Sequence, residues 1–107
     1  MFTNKFENCI DACYHCATVC LQCENVYMWE NGSKGHRSST RLDCAEICLV
    51  AAKMMSAKSK FSSKVCALCA EICESCAEEC TPHSELKPCK SCVEACLKCM
   101  EECRKIN

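Results

Sequence analysis

The chain has 107 residues, 17 of them cysteine, and a formal net charge of −1 from 13 basic and 14 acidic side chains. This length allows one domain, residues 1–107, and leaves no room for a second, catalytic module. The balanced charge argues against binding to nucleic acid, whose phosphates need a positive surface, and the apolar runs are too short to span a bilayer.

Helix 1 is predicted from about Asn4 to about Trp29, with Asn4 and Glu7 spaced as a capping box. Its cysteines step alternately by three and four residues, which is the spacing of the buried face of a packed helix. We call such a row of five positions a ladder. Phe2 and Phe6 continue the ladder toward the N-terminus. The first ladder consists of Cys9, Cys13, Cys16, Cys20 and Cys23.

Helix 2 follows a loop over residues 30–39 that contains glycine and several serines. It is predicted to run from about Thr40 to about Ala57, with Thr40 and Asp43 at the spacing of a capping box. This helix has fewer thiols than the others. Its buried face is predicted to carry Cys44, Cys48, Ala51 and Met55.

Helix 3 is predicted from about Ser62 to Cys80, where Pro82 ends it because the residue before a proline disfavours helical geometry. Helix 4 begins between residues 84 and 88 and reaches about Lys105. Each of these helices has a complete ladder. The two ladders are Cys66, Cys69, Cys73, Cys76 and Cys80, then Cys89, Cys92, Cys96, Cys99 and Cys103.

Four helices with short connections predict an all-α fold, an antiparallel up-down-up-down four-helix bundle with a cysteine-lined core. The row of thiols is expected to be roughly 21 Å long, from the helical rise over 14 residues. The topology assigns each ladder residue to a depth in the bundle. One end is expected to hold Cys23, Cys44, Cys80 and Cys89, and the other Cys9, Met55, Cys66 and Cys103.

Residues 1–8 lack the apolar core of a secretory signal, so we expect a cytoplasmic protein. Thiols stay reduced in the cytosol, where a cysteine-dense chain is expected to bind metal rather than form disulfides. An odd number of cysteines also leaves at least one thiol unpaired. A scaffold of disulfides between facing helices is the alternative.

The type of ligand restricts the metal to Cu(I), zinc or an iron–sulfur cluster. Structural zinc and iron–sulfur clusters use separate sets of four ligands, and a continuous ladder does not resemble such sets. Cu(I) accepts two or three sulfurs, and one thiolate can bridge two ions. We therefore favour Cu(I), with a capacity of roughly 15 to 20 ions per chain.

Some residues outside the thiol ladders are also candidates for metal binding or assembly. Met55, with Met54 beside it, is a candidate thioether ligand at one end of the bundle. His83 and His36 are candidates at the other end, as ligands or where metal enters. Second apolar rows on helices 1 and 4 predict a homo-oligomer. These rows contain Ile10, Tyr14, Ala17, Leu21 and Met28, and Val93, Leu97 and Met100.

The three ladders and the cysteine-poor second helix resemble the bacterial copper storage proteins over about Phe6 to Lys105. The resemblance implies a four-helix bundle that holds many Cu(I) ions, with all 17 cysteines as ligands. It also implies His or Met residues at the open end of the bundle and, commonly, a tetramer. Without a leader, the chain looks like the cytosolic branch of that family.

The interpretation that follows is cytosolic storage and buffering of Cu(I), without catalysis. Copper chaperones or chelators are the expected donors, and neither nucleic acid nor a membrane is an expected partner. Two alternatives remain at this point. One is a general buffer for zinc and cadmium, and the other is an iron–sulfur redox protein.

Overall fold

The computed structural model describes the backbone of residues 5–31 and 39–106. Within these ranges it describes all side chains except those of residues 27–31 and 39. In this part of the chain it contains four α-helices and no strand, which confirms the predicted all-α fold. None of the described helices is long and apolar enough to cross a membrane. The helices are α1 (Glu7–Asn31), α2 (Ser39–Ser56), α3 (Ser62–Cys80) and α4 (Lys87–Arg104), with a 3-10 turn at Thr81–His83 before α4.

Contacts between the helices confirm the antiparallel bundle. The Cys9 sulfur near the start of α1 lies 3.5 Å from that of Cys103 near the end of α4. At the opposite end, the Cys23 and Cys89 sulfurs are 2.9 Å apart. α1 packs against α2 and α4, and α3 packs against the same two helices. The four helices therefore enclose one central core.

The helix boundaries follow from local chemistry. α3 ends at Cys80 because Pro82 has no amide hydrogen to donate; Thr81 before it keeps helical dihedrals, so the predicted loss of helical geometry at that residue is wrong. Pro88 occupies the first turn of α4, where no hydrogen bond is lost. After α2, Lys58 adopts the left-handed conformation, with φ of 55°, and its amide donates to the Met55 carbonyl. The chain can thus reverse into α3 within a few residues.

The starts of α1 and α2 differ from the predicted ones. The described α1 begins at Glu7, three residues later than predicted, and Asn4 with its capping box lies outside the described residues. α2 begins at Ser39, so the predicted capping box at Thr40 is wrong. The Thr40 hydroxyl instead donates to the Glu79 carboxylate at 2.7 Å, which ties α2 to α3.

Alanines line the contacts between helices on either side of the ladders. They are buried and have no side chain beyond the β-carbon, so neighbouring helices approach closely. Close approach brings sulfur atoms on different helices into contact. The buried alanines that flank or continue the ladders are Ala17, Ala45, Ala51, Ala52, Ala70, Ala77 and Ala95.

The second apolar rows lie partly on the surface. Tyr14, Leu21 and Leu97 are 42%, 47% and 45% exposed, whereas Ala17 is buried. Ile10, Val93 and Met100 are half-buried against the core. The Met28 side chain is not among the described side chains. Homo-oligomerisation through these rows stays a prediction.

Candidate metal centre

The cysteine candidates are all inside the bundle. Each of the 17 cysteines is at most 2% exposed, and all of them are free thiols. Hydrophobic packing along three complete ladders turns one face of α1, α3 and α4 inward, and each ladder position on that face is a cysteine. The interior of this protein is therefore a column of sulfur, which we call the thiol core.

Neighbouring sulfurs in the thiol core are in contact across helices. The Cys20–Cys92 distance between α1 and α4 is 3.6 Å, and the Cys48–Cys69 distance between α2 and α3 is 3.7 Å. Contacts also run along single helices, with 3.8 Å between Cys16 and Cys20. Such spacings allow one ion to bind sulfurs from two or three helices at once.

The sulfurs form overlapping groups whose members lie within 4.8 Å of one another. Successive groups share a residue, so no boundary separates one candidate site from the next. Cys103, Cys99 and Cys16 each join two groups, and Cys20 and Cys96 together join the last two. Five of these groups, in order along the core, are Cys9–Cys66–Cys103, Cys13–Cys69–Cys99–Cys103, Cys16–Cys48–Cys73–Cys99, Cys16–Cys20–Cys44–Cys96 and Cys20–Cys76–Cys92–Cys96.

One end of the thiol core includes a thioether. Met55 is fully buried, and the Cys66 thiol donates to its sulfur at 3.4 Å. Cys9, Cys66 and Cys103 form the adjoining group, as the predicted depths require. Phe6 packs partly buried against the core, while Phe2 lies outside the described residues. Met54, the other candidate thioether, is only half-buried.

The opposite end contains Cys23, Cys80 and Cys89, but the prediction that Cys44 joins them is wrong. The Cys44 sulfur lies 3.8 Å from Cys16 and 3.7 Å from Cys73, deeper in the core. The reason is that the buried face of α2 does not begin at Cys44 but has one more position toward the N-terminus of the helix. That position, three residues before Cys44, is Arg41.

Arg41 is a functional candidate that is not among the residues predicted from the sequence. It is 2% exposed, its Nε donates to the Glu24 carboxylate at 2.9 Å, and its Nη1 donates to the Cys80 sulfur at 3.4 Å. The complete ladder of α2 steps by three and four residues like the other ladders. The same spacing rule could therefore have found it. The ladder consists of Arg41, Cys44, Cys48, Ala51 and Met55.

Burial and neighbouring groups shift the pKa values of the end residues. Burial raises the pKa of the Cys89 thiol above its ordinary value. Cys103 would lower the pKa of Cys66, but Cys9 and burial outweigh it and raise that pKa to about 12. The pKa of Cys80 is lowered, chiefly by hydrogen bonds from Cys23 and Cys76, with a further contribution from Arg41.

The structure separates the histidine candidates. His83 is half-buried in the 3-10 turn that begins directly after Cys80, so it lies at the same end as Arg41. His36 lies outside the described residues. The proposed metal-ligand role of His83 stays a prediction.

The geometry constrains the metal. A tetrahedral zinc site with Zn–S bonds of about 2.3 Å separates its sulfurs by about 3.8 Å, so the spacing alone suits zinc as well as Cu(I). The shared residues favour Cu(I) over zinc, because overlapping groups do not leave each ion a set of four sulfurs of its own. Overlap suits an ion that needs two or three ligands and tolerates bridging thiolates.

Comparison with known proteins agrees with this geometry. A family model described as copper storage protein matches residues 2–107. A curated relative, the uncharacterized cysteine-rich protein YhjQ of Bacillus subtilis (strain 168), is 40% identical over 65 residues. That alignment covers 59% of this chain and 60% of the relative's own length.

Solved structures are similar over nearly the whole chain. The Cu(I)-bound copper storage protein BsCsp3 is 39% identical, with a TM-score of 0.83, covering 92% of this chain and 94% of that one. The apo form of copper storage protein 3 from Bacillus subtilis is 37% identical, with a TM-score of 0.76 and coverages of 94% and 96%. A protein from Nitrosospira multiformis is 40% identical, with a TM-score of 0.80 and coverages of 94% and 93%.

Proposed function

This chain belongs to the copper storage protein family, and from that premise we propose that it stores and buffers Cu(I) in its thiol core. The observation that carries the proposal is the unbroken series of sulfur groups, each sharing a residue with the next. An ion bound in one group is already adjacent to the ligands of the following group. Copper can therefore move along the core by exchanging one thiolate at a time.

The proposed ligands are the thiolates of all 17 cysteines, assisted by Met55 at one end and His83 at the other. Met55 is favoured by its burial and its 3.4 Å contact with Cys66. His83 is favoured by its position after Cys80. Because each bound ion must displace thiol protons, binding becomes weaker as the pH falls.

The proposal assigns the protein no catalytic activity. Reactive cysteines in enzymes are partly exposed beside a positive group or a helix N-terminus, whereas these thiols are buried. The proposed location is the cytoplasm, with copper chaperones or small chelators as donors. A homo-oligomer, tetrameric by family resemblance, would cover exposed apolar residues such as Tyr14 and Leu21.

The decisive experiment is an anaerobic titration of the reduced apo protein with Cu(I) in competition with a chromogenic chelator. The copper content of the isolated complex is then measured by elemental analysis. We expect retention of many ions per chain, on the order of one per thiolate. Retention of only one or two ions would contradict storage.

Parallel titrations with Zn(II) and Cd(II) test the general metal buffer. That alternative predicts that these ions displace Cu(I) or bind in equal number, whereas the shared sulfurs favour Cu(I). Anaerobic purification tests the iron–sulfur alternative, because a bound cluster would give a brown protein. Each result is independent of the copper count.

A further inference from the structure

The end of the thiol core at Cys23, Cys80 and Cys89 contains a buried positive charge. Three helices contribute a cysteine to this end, and α2 contributes Arg41. Of the described residues, Arg41 is the one basic side chain classed as buried. Its guanidinium touches both the thiol core, through Cys80, and the carboxylate of Glu24.

Packing alone does not explain a charged residue at this position. Burial of a guanidinium costs free energy, and replacement of a buried ion pair by apolar residues of similar size is often neutral or stabilising. The apolar end of the same ladder uses Met55, which is also fully buried. A methionine at position 41 would therefore satisfy the packing without any desolvation of charge.

The charge matters once metal is bound. One Cu(I) ion with two thiolates has a net charge of −1, and with three thiolates −2, so sites in which sulfurs outnumber ions are anionic. An anionic site in a buried environment needs a positive partner. Arg41 supplies a permanent one in direct contact with a ligand sulfur, because a guanidinium stays protonated in proteins.

We propose that Arg41 is a positioning residue for copper, whose fixed charge stabilises anionic copper–thiolate sites at the Cys23, Cys80 and Cys89 end. Glu24 moderates this effect, since its carboxylate neutralises part of the same charge at 2.9 Å. The inference rests on the proposed storage of Cu(I). Beyond the thiols themselves, the charge of Arg41 makes one end of the core retain copper more tightly.

The competing explanation is purely structural, namely an ion pair that holds α1 against α2. Two substitutions separate the explanations because both break the same pair. Arg41→Met removes the positive charge, and Glu24→Gln removes the carboxylate but leaves the positive charge in place. A structural role predicts the same direction of change for both, whereas charge stabilisation of copper predicts opposite directions.

The experiment loads the reduced full chain with Cu(I) under anaerobic conditions and then adds bathocuproine disulfonate in increasing concentration. Native mass spectrometry counts the ions retained per chain at each step. For R41M we expect one or two ions to leave at about tenfold lower chelator concentration, the effect of losing one charged hydrogen bond. For E24Q we expect the same ions to need more chelator than in the wild type.

Matched variants locate the effect. Arg41→Lys keeps the charge and should stay close to the wild type, and Arg104→Met removes an exposed arginine that pairs with Glu74 and should change nothing. In a Cys80→Ala background, R41M should have a smaller effect than in the wild type, because the ligand sulfur that accepts the hydrogen bond from Arg41 is gone. If R41M does not fold, E24Q/R41M replaces it and should also lose the ions.

The proposed role of Arg41 is overturned if copper retention shifts in the same direction in R41M and E24Q, or if it shifts in neither variant. Melting temperatures of the apo variants are measured alongside, and a fall in melting temperature without a change in copper retention also overturns it. A wild-type protein that loads no copper is a different result. That outcome contradicts the proposed function itself, whereas loaded variants that all behave like the wild type contradict only this inference.

Discussion

At the scale of single residues, the important difference in the core is between a thiol and a thioether. A thiol must lose its proton before it binds copper strongly, and burial raises the pKa of Cys89 and, with Cys9, that of Cys66. The thioether of Met55 has no proton to lose and contributes no charge. It can therefore bind Cu(I) without adding to the negative charge of the Cys9, Cys66 and Cys103 group.

Met55→Leu tests this contribution with a change that nearly conserves volume. We expect the apo protein to lose less than about 1.5 kcal/mol of stability, because the two side chains fill similar space. About one ion at that end should become easier to remove with a Cu(I) chelator. Melting curves of the apo protein and retained copper by elemental analysis measure the two effects.

Met54→Leu is the matched control, since Met54 is adjacent but only half-buried. It should leave both copper retention and stability nearly unchanged. Equal retention by the Met55→Leu variant and the wild type would remove Met55 from the set of ligands.

At the scale of the helix, α2 differs from the others because its ladder contains only two thiols. Its positions are still in register with the facing ladders, as the contacts of Cys48 with Cys69 and of Met55 with Cys66 demonstrate. Ala51 lies between those two levels and is fully buried. The helix therefore already presents a small side chain where the other ladders present sulfur.

Ala51→Cys is expected to complete the row of sulfurs between Cys48 and Met55 and to raise copper capacity by about one ion per chain. The added atom must fit a filled core, so the apo protein should lose about 1 kcal/mol or more of stability. Elemental analysis after saturation and removal of loosely bound copper gives the capacity. Chemical denaturation gives the stability.

Ala67→Cys provides the control, because Ala67 is an exposed residue of α3. It adds a thiol to the chain without adding one to the core, and its capacity under competition should equal that of the wild type. An equal gain from both variants would mean that the number of thiols, rather than their position, determines retention.

At the scale of the whole molecule, enclosure of the thiols links folding to pH. Unfolded cysteines titrate near the ordinary value of 9.0, whereas the folded-state pKa of Cys66 is raised to about 12. Cys89 is shifted in the same direction. A raised folded-state pKa means that the contribution of these groups to stability is complete below pH 9.0 and is lost as the pH rises toward 12.

The contribution of Cys66 and Cys89 should therefore lower the melting temperature of the reduced apo protein as the pH rises above about 9. The copper-loaded protein should not show this fall, because its ligands are already deprotonated. It should instead lose stability at acid pH, where protons compete with copper for sulfur. Calorimetry of both forms across this range checks the prediction, and an apo melting temperature that is constant to pH 11 would contradict it.

Much of the fold could be predicted because the ladder spacing is a property of the helix itself. Four helices, their antiparallel order and the burial of all 17 cysteines follow from periodicity and short connections. The bounds of α3 agree with the predicted span of about Ser62 to Cys80. The depth of Cys44 differs from the prediction because the ladder of α2 continues past Cys44 to Arg41, and the capping box fails because Thr40 lies inside the helix.

What the amino-acid order determined by itself is the inward row of sulfur on each helix, since a repeat of three and four residues places side chains on one face. What only the tertiary structure decided is how the four rows meet. The close approach of the helices turns separate ladders into overlapping groups. The same packing brings Arg41, Glu24 and Cys80 together from three helices, because contacts between distant residues depend on register and on the size of the side chains between them.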